Sequence, residues 1–157
     1  MANRLTTTKR KRDMSRTGTE RLIENDDAAA KALERLQSER AGWLTTVAPD
    51  GTPQSSPIWF IWDEEGLYLY SRRSPRVRNV RENPRVSFNL DGNRQGGKIV
   101  VMEGTALIDE NAPSVPDNAE YLEKYGEVMG ERDWSPEWFA ENYPVFIRVQ
   151  PTRFRYW

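Results

Sequence analysis

Hydrophobic and polar positions change period several times along this chain, and each change marks an element. Ala29, Ala32, Leu33 and Leu36 recur at helical spacing and predict a helix from Asn25 or Asp26 to about Arg40, broken by Gly42. The pattern then shifts to strands. Trp43–Val47 is rich in β-formers, and Pro49-Asp50-Gly51-Thr52 is a turn with glycine placed for positive φ. Gln54–Trp62 alternates, with Ile58, Phe60 and Trp62 on one face and Trp59 and Ile61 on the other. Asp63-Glu64-Glu65-Gly66 closes a hairpin into a strand over Leu67–Ser71. A short helix starts at Ser74-Pro75 and must stop near Asn83, ahead of Pro84. Strands are expected over Arg85–Leu90, Lys98–Ile108 and Val145–Val149. Helices are expected from Pro116-Asp117, carrying Tyr121, Leu122 and Tyr125, and from Ser135-Pro136, carrying Trp138 and Phe139. Hairpin-joined strands with helices inserted late predict a mainly β, α+β fold: an antiparallel barrel with peripheral helices.

Residues 1–25 are polar and lack any such period, which predicts a disordered arm ahead of one domain over 26–157. Charge separates the two regions. Arg4, Lys9, Arg10, Lys11, Arg12 and Arg16 against Asp13 give +5, so of the net −1 the rest of the chain carries −6. An acidic body argues against a nucleic-acid-binding domain, although the basic arm could touch RNA, DNA or an anionic membrane. No apolar run is long enough to span a bilayer, and the N-terminus lacks the apolar stretch of a signal peptide, so a cytoplasmic protein is expected.

Composition narrows the chemistry. The chain has no cysteine and no histidine. That excludes disulfides, thiolate nucleophiles, Ser-His-Asp triads, zinc fingers and histidine-ligated haem. No Asp/Glu cluster has metal-ligand spacing, so no metal is expected. Redox or group-transfer chemistry would have to come from a bound cofactor.

Four arginines, at 72, 73, 76 and 78, fall between a predicted strand and a predicted helix start. Basic side chains, the Ser71 hydroxyl and the free N–H groups of a helix terminus converge there, as a phosphate site requires. Four neighbouring like charges also read as a solvated turn. Arg76 and Arg78 lie in the first helical turn and are the stronger candidates. At most one of Arg72 and Arg73 can face a ligand, because successive side chains at a strand end point apart. Pro57 cannot donate a ladder hydrogen bond and marks an edge. A free strand edge can offer backbone groups to a polar heterocycle, or it can simply be an edge that proline protects from aggregation. Trp59, Trp62, Tyr68 and Tyr70 suit core or dimer contacts as well as ring stacking.

Four segments, in order, resemble the split-barrel flavin and deazaflavin oxidoreductases, the superfamily of pyridoxamine 5′-phosphate oxidase. They are Trp43–Val47 with Asp50-Gly51; Gln54-Ser55-Ser56-Pro57-Ile58-Trp59-Phe60; Tyr70-Ser71 through Arg76-Val77-Arg78-Asn79 to Asn83-Pro84-Arg85-Val86; and Val101-Met102-Glu103-Gly104-Thr105-Ala106. The match is closest to the actinobacterial branch that uses coenzyme F-420. The resemblance implies a six-stranded split barrel and a homodimer with two cofactor sites at the subunit interface. It implies that the cofactor ring lies against Ser55, Ser56, Pro57, Ile58 and Trp59, and that its phosphate sits by Ser71, Arg76 and Arg78. Tyr70, Arg72 and Val77 flank that phosphate, and Lys98 aligns near a basic contact of the flavin-binding relatives. Those relatives usually carry Ser-Arg-Lys where this chain has Ser74-Pro75-Arg76. Arg76 can replace the lysine, since guanidinium grips phosphate in a bidentate way; Pro75 cannot replace the arginine. The implied function is hydride transfer from reduced F-420 to an unsaturated or electron-poor small molecule. FMN in the same scaffold, or a non-catalytic carrier or sensor, are the alternatives. No residue stands out as catalytic.

Overall fold

In the computed structural model, residues 27–157 are described; the proposed arm and the helix start at Asn25 or Asp26 lie outside them. Helix α1 spans Asp27–Ser38 and is followed by β1 (Ala41–Val47), β2 (Pro53–Trp59), β3 (Ile61–Asp63) and β4 (Gly66–Ser71). Helix α2 (Pro75–Glu82), β5 (Arg85–Asn89) and β6 (Val100–Ile108) come next. A 3-10 turn (Val115–Asp117), α3 (Ala119–Glu131), α4 (Pro136–Asn142) and β7 (Val145–Tyr156) complete the chain.

The sheet has seven antiparallel strands in the order β2-β1-β5-β6-β7-β4-β3. Six were expected, because Gln54–Trp62 reads as one strand. It is two, and they occupy opposite ends of the order although only Phe60 separates them in sequence. The sheet must therefore curl until its ends meet, which makes it an open barrel with its split at Phe60. Phe60 leaves the ladder because its backbone finds other partners. Its N–H donates to Tyr125 Oη at 2.7 Å, and its carbonyl accepts from Lys124 Nζ at 3.0 Å. Both partners come from α3.

The expected alternation survives the break. Ile58 and Phe60 are buried in the barrel core with Leu44, Leu67, Leu69, Phe88, Met102, Ile147 and Val149, and Trp62 packs against them. Trp59 and Ile61 belong to a second cluster outside the barrel, with Tyr121, Tyr125, Met129 and Phe139 of α3 and α4. Strand β4 serves both: Leu67 and Leu69 point in, Tyr68 and Tyr70 point out, and all six of its residues are buried. Each large apolar side chain so buried contributes roughly 1.5–3 kcal/mol. Ala32 and Leu36 of α1, with Val77 and Val80 of α2, also fill the barrel core.

Three local readings are corrected. Gly42 is not a helix terminator but the second residue of β1, where a Cβ would come within 2.4 Å of the Phe88 ring. The helix expected from Pro116 is a 3-10 turn there; α3 begins after Asn118, whose side chain accepts from Tyr121 N–H at 3.0 Å. Strand β7 runs on to Tyr156 across Pro151, with a register shift opposite Glu103 and Gly104. The aromatic C-terminus is thus built into the sheet, and Trp157 Nε1 donates to the Gly96 carbonyl at 2.9 Å. The turn at Gly51 is as expected, with φ of 88°.

Candidate functional site

The arginine-rich turn lies between β4 and α2, and the fold treats its arginines differently. Arg76 is half-buried and bridges two strands. Its Nη1 donates to Ser71 Oγ at 3.2 Å, at the end of β4, and its Nη2 donates to Ser56 Oγ and lies 3.5 Å from the Pro57 carbonyl, on β2. Its Nε is buried and has no hydrogen-bond partner. Burial lowers the affinity of this guanidinium for its proton, and Tyr143 opposes the shift; it remains a cation at neutral pH. Ser71 is wholly buried, and its hydroxyl donates to the Arg72 carbonyl at 2.9 Å.

Asn79 fixes this arrangement from beneath. It is fully buried, and its Nδ2 donates to Thr46 Oγ1 at 3.0 Å and to Gln54 Oε1 at 2.8 Å. One turn of α2 is thereby tied to β1 and β2, which sets where Arg76 emerges. Val77 supports the same turn from the barrel core. Ser74 precedes α2 as foreseen, with Pro75 at the first helical position, but its hydroxyl makes no cap and is buried without a partner.

The other candidates separate. Ser55 faces away from Ser56 and meets Thr45 Oγ1 at 2.6 Å, as strand alternation demands. Arg72 is exposed and sits over the Tyr143 ring at 4.8 Å. Arg73 and Arg78 are exposed, and Arg78 does not join the Ser56–Ser71 bridge. Lys98 is exposed ahead of β6, three strands from β2, or about 14 Å at ordinary ladder spacing. Within one chain it does not reach Arg76. Strand β2 ends the sheet order and pairs only with β1, so Pro57 does lie on an edge strand.

A cavity of about 240 Å³ opens beside Arg76. It is lined by Pro57, Ile58 and Trp59 of β2, by Tyr70, and by residues that sequence patterning did not single out as site residues: Tyr121, Arg132, Trp134, Phe139 and Tyr143. The late aromatics repeat four apart, Trp134 with Trp138 and Phe139 with Tyr143, and stack at 4.9 and 4.3 Å between centroids. That spacing was the available signal, and it reads equally as packing. Trp59 lies nearly parallel to Tyr125 at 4.8 Å and to Phe139 at 5.7 Å, so it is committed to the helical layer. Tyr70 reaches the Pro113 carbonyl at 2.7 Å. The hydroxyl of Tyr121 is buried without a partner, and burial holds it firmly protonated. Two cations and no carboxylate line the cavity.

The donor set fits a phosphate. A half-buried guanidinium, held by two serines at a helix start, keeps its Nε–H unspent beside a strand edge. No helix among the described residues is long and apolar enough to cross a membrane.

Known proteins share this fold. The chain is similar to a conserved hypothetical protein of Mycobacterium tuberculosis, at 26% identity over 87% of this chain and 86% of that one, with a TM-score of 0.61. It is similar to an F-420 reductase at 28% identity, over 78% of this chain and 94% of that one, with a TM-score of 0.56. An FAD-binding protein of Mesorhizobium loti shares the fold, at 24% identity over 80% and 91% of the two chains and a TM-score of 0.56. The family profile of pyridoxamine 5′-phosphate oxidase matches residues 27–157, all of the described fold, and the chain belongs to that flavin-type split-barrel family.

Proposed function

We propose that this protein is an F-420-dependent oxidoreductase that delivers a hydride to an electron-poor small molecule. The observation that carries the reading is the Arg76 bridge: a half-buried cation between Ser56 and Ser71, with Nε unspent, beside the free edge of β2. The likeness to an F-420 reductase at 28% identity supports the deazaflavin over other ring cofactors. When bound, F-420 supplies the hydride that a chain without cysteine or histidine does not provide. Arg76, positioned by Ser71, would hold the phosphate end. The backbone of Ser56 and Pro57 meets the polar rim of the ring, and the aromatic wall excludes water from the acceptor. Two copies of the chain complete the site, and Lys98 reaches it from the second copy.

The test is a titration of purified protein with F-420, followed by the coenzyme's fluorescence. Saturable binding at micromolar concentration is expected, with a dimer mass by light scattering. No saturation would sink the reading. A yellow protein with an FMN spectrum as purified would replace F-420 by FMN. Binding without turnover of any activated alkene or quinone would make the protein a carrier.

A further inference from the structure

The cavity has an unusual balance of groups. Its walls are aromatic, its two charged residues are both arginines, and one of its lining residues, Tyr121, has a buried hydroxyl without a partner. Arg76 is engaged by Ser56 and Ser71. Arg132 is not so engaged. It caps the C-terminal end of α3, is exposed, and makes no ion pair among the described residues. Its guanidinium instead lies 5.2 Å from the Trp134 ring centroid and 5.8 Å from that of Trp59. An arginine parked on aromatic faces keeps its hydrogen-bonding fork free for a planar anion.

We propose that this cavity binds a small, planar, conjugated carboxylate, with the carboxylate on Arg132 and a polar atom of the conjugated body accepting from, or packing on, Tyr121. Three observations converge on that class. The volume, about 240 Å³, lies below the roughly 300 Å³ at which drug-sized pockets begin, so the ligand has one ring or two. The aromatic lining, which includes Trp59, Trp134 and Phe139, favours an aromatic body. Arg132 demands an anion and Tyr121 offers a donor, because an unpaired buried hydroxyl gains most from a partner. The binding claim stands on the cavity itself. That the carboxylate is also the hydride acceptor rests on the proposed oxidoreductase reading: pairing with Arg132 draws electron density from the conjugated bond and makes its distal carbon more electrophilic. The hydride from reduced F-420 would form a C–H bond at that carbon, and a solvent proton would neutralise the adjacent one, leaving oxidised F-420 and the saturated acid.

The test titrates full-length protein with trans-cinnamate and, separately, with its neutral amide, following the tryptophan indole N–H signals by NMR. Saturable shifts at Trp59 and Trp134 are expected, with the carboxylate preferred by roughly tenfold, the scale of a hydrogen bond to a charged group. Arg132→Gln, on an exposed side chain, keeps the fold and should erase that preference. Equal affinity for acid and amide, a preference that persists in Arg132→Gln, or no saturable shift would each overturn the proposal. F-420 binding is measured on the same samples. Cinnamate binding without F-420 binding keeps the cavity and removes the cofactor reading; F-420 binding without cinnamate binding does the reverse.

Discussion

Tyr125 Oη accepts the N–H of Phe60 at 2.7 Å and lies 2.6 Å from the Phe60 carbonyl and 2.7 Å from that of Arg40. One hydroxyl on α3 thus replaces the ladder partners that Phe60 gives up where β2 ends and β3 begins. The barrel can open there only because this substitute exists. Burial holds the Tyr125 phenol protonated well above the ordinary tyrosine range, so the contact persists across the working pH range.

Tyr125→Phe should therefore destabilise the fold by about 1–3 kcal/mol, the cost of leaving a buried backbone donor unpaired. Tyr121→Phe is the internal control. Its hydroxyl has no partner, so its removal should leave stability unchanged or slightly raised. Urea denaturation of the two variants checks the pair. Equal losses would mean that ring packing, not the hydroxyl of Tyr125, supports the break.

Arg76→Ala should weaken F-420 binding by about 1.5–3 kcal/mol, because it removes a charge-assisted contact from a half-buried place. Arg78→Ala should change it by less than about 0.5 kcal/mol, as for most exposed substitutions, because Arg78 does not join the Ser56–Ser71 bridge. Fluorescence titration of both variants measures the difference. A larger loss at Arg78 would move the phosphate to the outer side of α2.

Gly42→Ala should cost about 1–3 kcal/mol, the usual penalty of overpacking. The new methyl would lie 2.4 Å from two ring carbons of Phe88, which is fully buried and edge-on to Phe60 at 4.9 Å. Thermal unfolding would register the loss. A neutral result would mean that the Phe88 ring has room to turn.

The fold was legible wherever one period decided an element. Ile58, Phe60 and Trp62 do share a face, and so do Val86 and Phe88, because a half-buried strand has to alternate. The split at Phe60 was not legible: its cause is a tyrosine and a lysine some 65 residues later, and no local pattern encodes a partner so distant. The site divides in the same way. Arg76 and Ser71 meet, as helix-start chemistry implies, whereas the approach of Ser56 and Pro57 to them was implied only by the family resemblance. The opposite wall could not be read. Tyr121 looks like an ordinary position of amphipathic α3, and Arg132 and Trp134 like ordinary residues of the connection to α4, until tertiary packing brings them beside β2.

Lys124 gives the fold a dependence on pH with a defined sign. Burial lowers its pKa to about 8 from 10.5, its Nζ lying 4.4 Å from the Phe60 ring centroid and donating to the Phe60 carbonyl. Glu120 and Glu39 oppose the shift, and Arg40 adds to it. Below pH 8 the folded and unfolded chains both carry this proton, and the fold bears the cost of a half-buried ammonium. Between pH 8 and 10.5 the unfolded chain binds more protons than the folded one, so this group makes stability rise with pH. Above pH 10 the tyrosines act in the opposite sense, since Tyr125 ionises more readily when unfolded. The clean window is therefore pH 8 to 10. Urea midpoints measured across it should climb in the parent protein relative to Lys124→Met, which lacks the titrating group. Parallel curves would mean that the amine stays solvated and titrates near its ordinary value.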